Sequence, residues 1–296
     1  MTSILIKILS WWIPKRRHTV WHCNVLELIL AAWLFMFLPA LTRSILFPVP
    51  VTPEEQNQLD IPQTFPTNIF NSDAPNNSHP VVRLVQTRNW AFIGMAFYMA
   101  CILAPINEEL LFRGGLQNCL QGILTKLFKK RLHLPVKTCR WLISILSIVL
   151  PAVIFALVHY RSEAFARLSI EDIVRAIANS CIAWTLFPVI CYSYLFFVRR
   201  LRPRDLFGTW RETPGLILTG IKWIWVMVPI YILMFLIVFI QLICKTSVVA
   251  DPIGLLPLAL IFGFLYYRTQ SLLPSIALHI LFNFISLSMS LLIFFL

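Results

Sequence analysis

The sequence predicts an all-α protein, a polytopic bundle of about seven transmembrane helices (six to eight), and two observations lead to this fold class. The 296 residues are 58% hydrophobic and only 13% charged, with a mean hydropathy of +0.77. A soluble domain cannot bury that much apolar surface. Several apolar runs also have about the 20 residues that a helix needs to cross a bilayer. The chain is therefore expected to be an integral membrane protein.

The N-terminal region is expected to contain two units. Residues 1–24 include a basic cluster beside apolar residues, which is typical of an amphipathic segment at the membrane interface. Residues 25–89 combine a first span, at about 25–47, with a polar stretch rich in Pro and Asn. That stretch is expected to lie outside the membrane with little regular structure.

Residues 90–296 are expected to form the membrane-embedded core. The run 90–128 is apolar for too long, because a straight helix of that length covers roughly 58 Å. Pro105 is therefore expected to divide it into two helices or to kink it. The further predicted spans are 141–159, 176–198, 216–243, 253–267 and 274–296.

The charge distribution predicts the orientation in the membrane. The formal net charge is +12, and basic residues concentrate in the loops 126–140 and 199–205. Lys and Arg collect in cytoplasmic loops, so the N-terminus is expected to be cytoplasmic and the C-terminus outside, by default in a bacterial inner membrane. No aromatic and basic module typical of a nucleic-acid-binding protein accompanies this charge, so no nucleic-acid partner is expected.

The first group of ionisable residues in an apolar run is Glu108, Glu109 and Arg113. Each such residue costs about 2.5–3.5 kcal/mol on insertion scales, so a function is the default interpretation. Glu109 and Arg113 are four residues apart and can pair on one helix face, whereas Glu108 points about 100° away. Such an environment can give two carboxylates separate functions. The alternative is that both glutamates mark a helix end at a water interface.

Two further groups stand on other apolar segments. Phe155 and His159 are four residues apart near the end of one span, where His159 could also be a simple interfacial anchor. His279 and Asn283 are four apart on one face of the last helix, where contacts between helices are the alternative.

Two carboxylates, two imidazoles and a carboxamide on three helices can converge in a bundle. They suit a carboxylate-activated water that attacks a carbonyl, or a His/Glu metal site with an open position. A proton relay in a proton-coupled transporter is a third interpretation. The simple seven-span model, however, puts Glu108 near the inner face and His159 near the outer face. The groups meet only if the helices are offset around a deep water-filled cavity or if the span boundaries differ.

The sequence resembles a known family in three motifs that occur in order. These are EExxxR in "EELLFR" (108–113), FxxxH in "FALVH" (155–159) and HxxxN in "HILFN" (279–283). With the flanking text "APINEELLFRGGL" and "GFLYYRTQSLLPSIALHILFN", they resemble the CAAX-protease and bacteriocin-processing (CPBP, or Abi-type) intramembrane endopeptidases.

The resemblance implies a membrane-embedded protease that cleaves a membrane-associated protein or peptide. It implies that Glu108, assisted by His159, activates water, and that His279 and Asn283 stabilise the oxyanion. It also implies that Glu109 and Arg113 hold the geometry of the site and that Phe155, as a supporting residue, packs on its own helix.

Two alternatives stay open beside these implications, and one segment departs from the family pattern. The donor set also allows a divalent metal such as zinc, with Glu108, His159 and His279 as its ligands. A non-proteolytic immunity or scaffold member of the same family would carry the same motifs. The long connection between His159 and His279 marks 176–243 as an insertion or a rearrangement.

Overall fold

The computed structural model describes residues 23–46, 89–131, 136–159, 170–229, 232 and 250–295. The described residues form helices and short connections, with no strand among them, which confirms the predicted all-α class. The expected amphipathic segment before Cys23 and the expected polar stretch before Asn89 lie outside this part of the chain.

Eight helices are named here in chain order. The first is α1 (Val25–Leu46), and α2 is a continuous helical stretch over residues 90–131. The others are α3 (Val136–Val158), α4 (Ile170–Ser193, extended by the π-helical Tyr194–Val198), α5 (Pro203–Phe207), α6 (Thr213–Lys222), α7 (Ala250–Thr269) and α8 (Leu273–Phe295).

Six of the seven predicted spans correspond to described helices. By length and composition four can cross a membrane: Val25–Leu46, Trp90–Phe128, Trp141–Val158 and Val174–Val198. Two shorter apolar helices, Leu255–Thr269 and Leu273–Met289, match the last two predicted spans. The span predicted at 216–243 is described only as far as α6 and the helical residues 224–229.

One of the two expectations for Pro105 was that it divides the run into two helices. This expectation was wrong, because α2 continues through Pro105. Its α-helical segments Trp90–Phe97, Ala104–Glu109 and Asn118–Arg131 alternate with the π-helical segments Tyr98–Leu103 and Leu110–Gln117. The wider π-helical turn just before Pro105 lets the helix continue past a residue without an N–H. The central segment, with both glutamates, therefore lies between two π-helical segments.

The outer surface of the bundle is apolar. Met36 on α1 is 71% exposed, Trp90 at the start of α2 is 75% exposed, and Leu157 near the end of α3 is 62% exposed. Apolar side chains exposed along spanning helices face lipid rather than water. The bundle therefore matches an integral membrane protein.

Helix α1 is tied to the end of the α4 extension by polar contacts. Glu27 Oε1 accepts a hydrogen bond from the Tyr194 hydroxyl at 2.8 Å and lies 3.2 Å from Arg199 Nε. The glutamate near the start of α1 is thus paired well away from the two glutamates of α2.

Helix α6 packs very closely against α8. A Cβ atom added at Gly220 would collide with the carbonyl oxygen of Pro274, so glycine is required for this approach. Thr219 beside it is buried and donates to the Gly215 carbonyl at 2.7 Å. The segment proposed as an insertion thus contributes a helix in direct contact with the helix that carries His279.

We expect Gly220→Ala to lower the free energy of unfolding in detergent by about 1–3 kcal/mol, the usual cost of overpacking. Gly215→Ala is the matched control in the same helix, because a Cβ there has no neighbour within 4 Å. Its expected effect is a gain of up to about 1 kcal/mol from helix propensity. Equal midpoints of thermal unfolding for the two variants would contradict the close α6–α8 contact.

Candidate active site

Glu109 and Arg113 form a fully buried ion pair within α2. Glu109 Oε2 lies 3.4 Å from Arg113 Nε, and neither side chain has any exposed surface. Arg113 also donates from Nη2 to the Ala259 carbonyl of α7 at 3.0 Å. The pair is therefore linked to a second helix as well as along its own.

Glu108 faces two histidines from two other helices. Its Oε1 lies 3.4 Å from His159 Nε2, at the end of α3, and its Oε2 lies 3.6 Å from His279 Nε2 on α8. The other nitrogen of His279, Nδ1, lies 3.4 Å from Glu109 Oε1. The imidazole of His279 therefore stands between the two carboxylates, and α2, α3 and α8 converge at this point.

The surroundings of the two glutamates differ. The side chain of Glu108 is 11% exposed and that of its neighbour His159 is 30% exposed, whereas Glu109 and Arg113 have no exposed surface. The Glu108–His159 side is therefore the part of the cluster that has exposed surface. The interpretation of the glutamates as markers of a helix end is wrong, because both are buried and α2 continues to Arg131.

The tautomer of His159 follows from a local contact. Its Nδ1 lies 2.7 Å from the Phe155 carbonyl oxygen, one turn earlier in the chain. Since a carbonyl only accepts, Nδ1 must carry the hydrogen, and in the neutral imidazole Nε2 then remains an acceptor. The acceptor nitrogen is the one that faces Glu108, so the two can share a proton or a water.

Phe155 and Phe262 hold the imidazoles from the apolar side. Phe155 lies against the His159 ring with centroids 4.3 Å apart and meets His279 edge-on at 6.1 Å. Phe262, on α7, stacks on His279 at 4.6 Å. The Arg113 guanidinium lies 5.5 Å from the ring centroid of Phe155 and 5.9 Å from that of Phe262. Phe155 thus contacts more than its own helix.

Asn283 has a different position from the other predicted site residues. Its Nδ2 donates to the Ala100 carbonyl of α2 at 2.7 Å. The prediction of a contact between helices is confirmed for Asn283 by this bond. His279, one turn away on the same helix, instead faces the carboxylates.

A ladder of polar contacts joins α2 to α7 beside the ion pair. One turn after Arg113, Gln117 Nε2 donates to the Gly263 carbonyl at 2.8 Å, and Asn118 Nδ2 donates to the Tyr266 hydroxyl at 3.3 Å. Gly263 permits the close packing, since a Cβ there would lie 3.1 Å from Ile148 Cγ2 of α3. The donors and acceptors advance together, so α2 and α7 run parallel here.

Three residues in or beside the site belong to none of the three sequence motifs. They are Asn107, Gln117 and Phe262. Asn107, fully buried, donates from Nδ2 to the Trp184 carbonyl of α4 at 2.8 Å. Asn107 and Gln117 are polar residues in an apolar run, a signal that could have singled them out. Phe262 offered no such signal, because it is one apolar residue among many in its helix.

The simple span model was wrong about the depth of the site, since Glu108 and His159 are in contact. The glutamates lie in the middle of a helix over residues 90–131, whereas His159 directly follows the last residue of α3. A terminal residue of one helix therefore meets a central residue of another.

The geometry gives no support to a metal centre. Among the described residues, no group of three or more His, Cys, Asp and Glu side chains is arranged to hold a metal ion. No catalytic step is therefore derived through a metal.

We expect Arg113→Met to lower the free energy of unfolding by about 3–5 kcal/mol, because it leaves the Glu109 carboxylate buried without its cation. The double variant Glu109→Gln/Arg113→Met should be more stable than Arg113→Met alone. A double-mutant cycle of thermal unfolding in detergent measures this coupling. Additive losses would contradict a direct pairing.

The comparison with protein families agrees with this arrangement. The model described as Type II CAAX prenyl endopeptidase Rce1-like matches residues 89–210 and 194–285, which together include every predicted site residue from Glu108 to Asn283. No curated protein matches the chain, and no solved structure matches it. The match covers more than half of the chain, and the matched helices are apolar, as spanning helices must be. The protein is therefore an integral membrane member of the Rce1-like family of type II CAAX prenyl endopeptidases.

Proposed function

We propose that this protein is an intramembrane endopeptidase in which Glu108 activates the attacking water. The observation that carries the proposal is that Glu108 lies between two histidines from two other helices, while Glu109 is paired with Arg113. A carboxylate beside two imidazoles, on the side of the cluster that has exposed surface, suits a general base. The family to which the chain belongs supplies the reaction class, hydrolysis of a peptide bond.

The proposed first step is attack of water on the scissile carbonyl. Water donates one hydrogen bond to Glu108 and lies beside His159 Nε2, which accepts when Nδ1 carries the hydrogen. The proton passes to this pair as the water oxygen bonds to the carbonyl carbon. Contacts of 3.4–3.6 Å are longer than hydrogen bonds, as is common for catalytic groups without substrate.

The second step is collapse of the tetrahedral intermediate. His279 and Asn283 are proposed to donate hydrogen bonds to its oxyanion, where preorganised donors lower the barrier most. The C–N bond then breaks, and the proton held by Glu108 and His159 passes to the departing amine. Glu109, Arg113 and Phe155 are proposed to hold His279 and the glutamate segment in place, as their contacts with His279 and with each other support.

The proposed substrate is a protein or peptide associated with the membrane. Because the family is described as prenyl endopeptidases, a peptide with a prenylated C-terminal tail is the first substrate to test. A leader peptide and a segment of a membrane protein are the other substrate classes to test. The basic loops predict a cytoplasmic N-terminus, and a bacterial inner membrane stays the default prediction.

We expect Glu108→Gln to lower the cleavage rate by about 10²–10⁴-fold, because the amide cannot take the proton from water. The assay uses the full chain in proteoliposomes, a farnesylated peptide with a three-residue C-terminal tail, and mass spectrometry of the products. The same peptide without farnesyl tests whether the lipid is required. If no peptide is cleaved, the Glu108→Gln form serves as a trap, and mass spectrometry identifies what co-purifies with it.

Glu27→Gln is the matched control, since Glu27 lies on α1 and pairs with Arg199 outside the site. This variant should cleave like the unmodified protein. Full cleavage by the Glu108→Gln variant would sink the assignment of the base. Normal cellular function of that variant would favour a non-proteolytic member of the family.

We expect Asn283→Ala to lower kcat by about 10²–10³-fold if the amide stabilises the oxyanion. KM for the same peptide should change little, because the interaction is made chiefly in the transition state. A change in KM alone would instead indicate that Asn283 binds the substrate in its ground state.

A further inference from the structure

The backbone of α2 leaves one carbonyl group without a donor from its own helix. In an α-helix Ala104 N–H would bond to the Ala100 carbonyl, but here it donates to the Met99 carbonyl one residue earlier. In the π-helical pattern the next donor to Ala100 would be residue 105, which is Pro105 and has no N–H. Neither helical pattern therefore supplies a partner to Ala100.

The missing donor comes from α8. Asn283 Nδ2 donates to the Ala100 carbonyl oxygen at 2.7 Å. Where no water is at hand, side chains of neighbouring helices satisfy carbonyls that proline frees. Because a carbonyl only accepts, this contact also fixes which end of the Asn283 amide is nitrogen. One N–H of the amide is bound to Ala100, and the second N–H has a set direction.

The same exchange occurs between the glutamate segment and α4. The Trp184 carbonyl of α4 would receive its α-helical hydrogen bond from residue 188, which is Pro188. Asn107 Nδ2 donates to it instead at 2.8 Å. Asn283 and Asn107 therefore donate the hydrogen bonds that Pro105 and Pro188 cannot donate. Asn107 directly precedes Glu108, and Asn283 lies on the helix of His279.

We propose that Pro105 is a positioning residue that acts through Asn283. By leaving the Ala100 carbonyl without a helical donor, Pro105 makes that oxygen the anchor that orients the Asn283 amide. The anchor holds one N–H of the amide, and the other N–H is then directed for hydrogen bonding to the oxyanion. The use of the second N–H rests on the proposed function; the anchor itself rests on the backbone contacts alone.

The first test is a double-mutant cycle of thermal unfolding with Pro105→Ala and Asn283→Ala. Pro105→Ala restores an N–H that can donate to the Ala100 carbonyl, and it should not lower the midpoint. In the unmodified background Asn283→Ala should lower the midpoint, because the Ala100 carbonyl loses its donor. In the Pro105→Ala background the same change should cost markedly less. An equal loss in both backgrounds would overturn the anchor.

The second test is the same cycle on kcat and KM with the cleaved peptide in proteoliposomes. Pro105→Ala should lower kcat by about tenfold or more without raising KM, because the restored N–H competes for Ala100 and releases the amide. Added to Asn283→Ala, it should have no further effect on kcat. An unchanged kcat for Pro105→Ala, or effects that multiply in the double variant, would overturn the positioning proposal.

Pro39→Ala is the matched control, because Pro39 also lies inside an apolar helix, α1, that carries no site residue. It should leave kcat within about twofold, as expected of a substitution distant from the chemistry. Failure of the proposed function is recognised separately, since Glu108→Gln would then cleave normally while the unfolding cycle still reports on the anchor. The two substitutions Pro105→Ala and Asn283→Ala could be coupled in thermal unfolding but not in kcat. Pro105 would then affect stability alone, and its proposed effect on the reaction would be overturned.

Discussion

The ion pair between Glu109 and Arg113 is the interaction on which the rest of the site depends. Two adjacent carboxylates in an apolar bundle repel each other and lack water, so one of them needs a fixed cation nearby. Arg113 supplies it one turn away and is itself held by a carbonyl of α7 and by two aromatic rings. With Glu109 compensated, Glu108 faces the histidines of two other helices.

The neighbouring side chains then divide the cluster into a sealed part and an accessible part. Glu109, Arg113 and His279 are buried, with Phe155 and Phe262 against them. Glu108 and His159 have some exposed surface. Hydrolysis consumes water, so the accessible part is where the reagent must arrive. The sealed part can keep its geometry because little solvent competes for its contacts.

Much of this site could be predicted from the sequence because polar residues in apolar helices have to face one another. Glu108, Glu109, Arg113, His159 and His279 do meet, as their helical spacing and the family resemblance predicted. The depth of the site could not be obtained in this way. Hydropathy gives the length of a span, but not the offset between helices or the π-helical segments that change the register of α2. The partner of Asn283 was equally hidden, because a backbone carbonyl leaves no mark in the sequence.

The ladder between α2 and α7 restricts how the bundle can admit a peptide. Arg113, Gln117 and Asn118 bond to Ala259, Gly263 and Tyr266 in the same order along both helices, so sliding one helix along the other breaks all three bonds together. The two helices therefore act as one rigid wall. Under the proposed function, a peptide therefore has to reach the glutamates by movement of the other helices of the bundle.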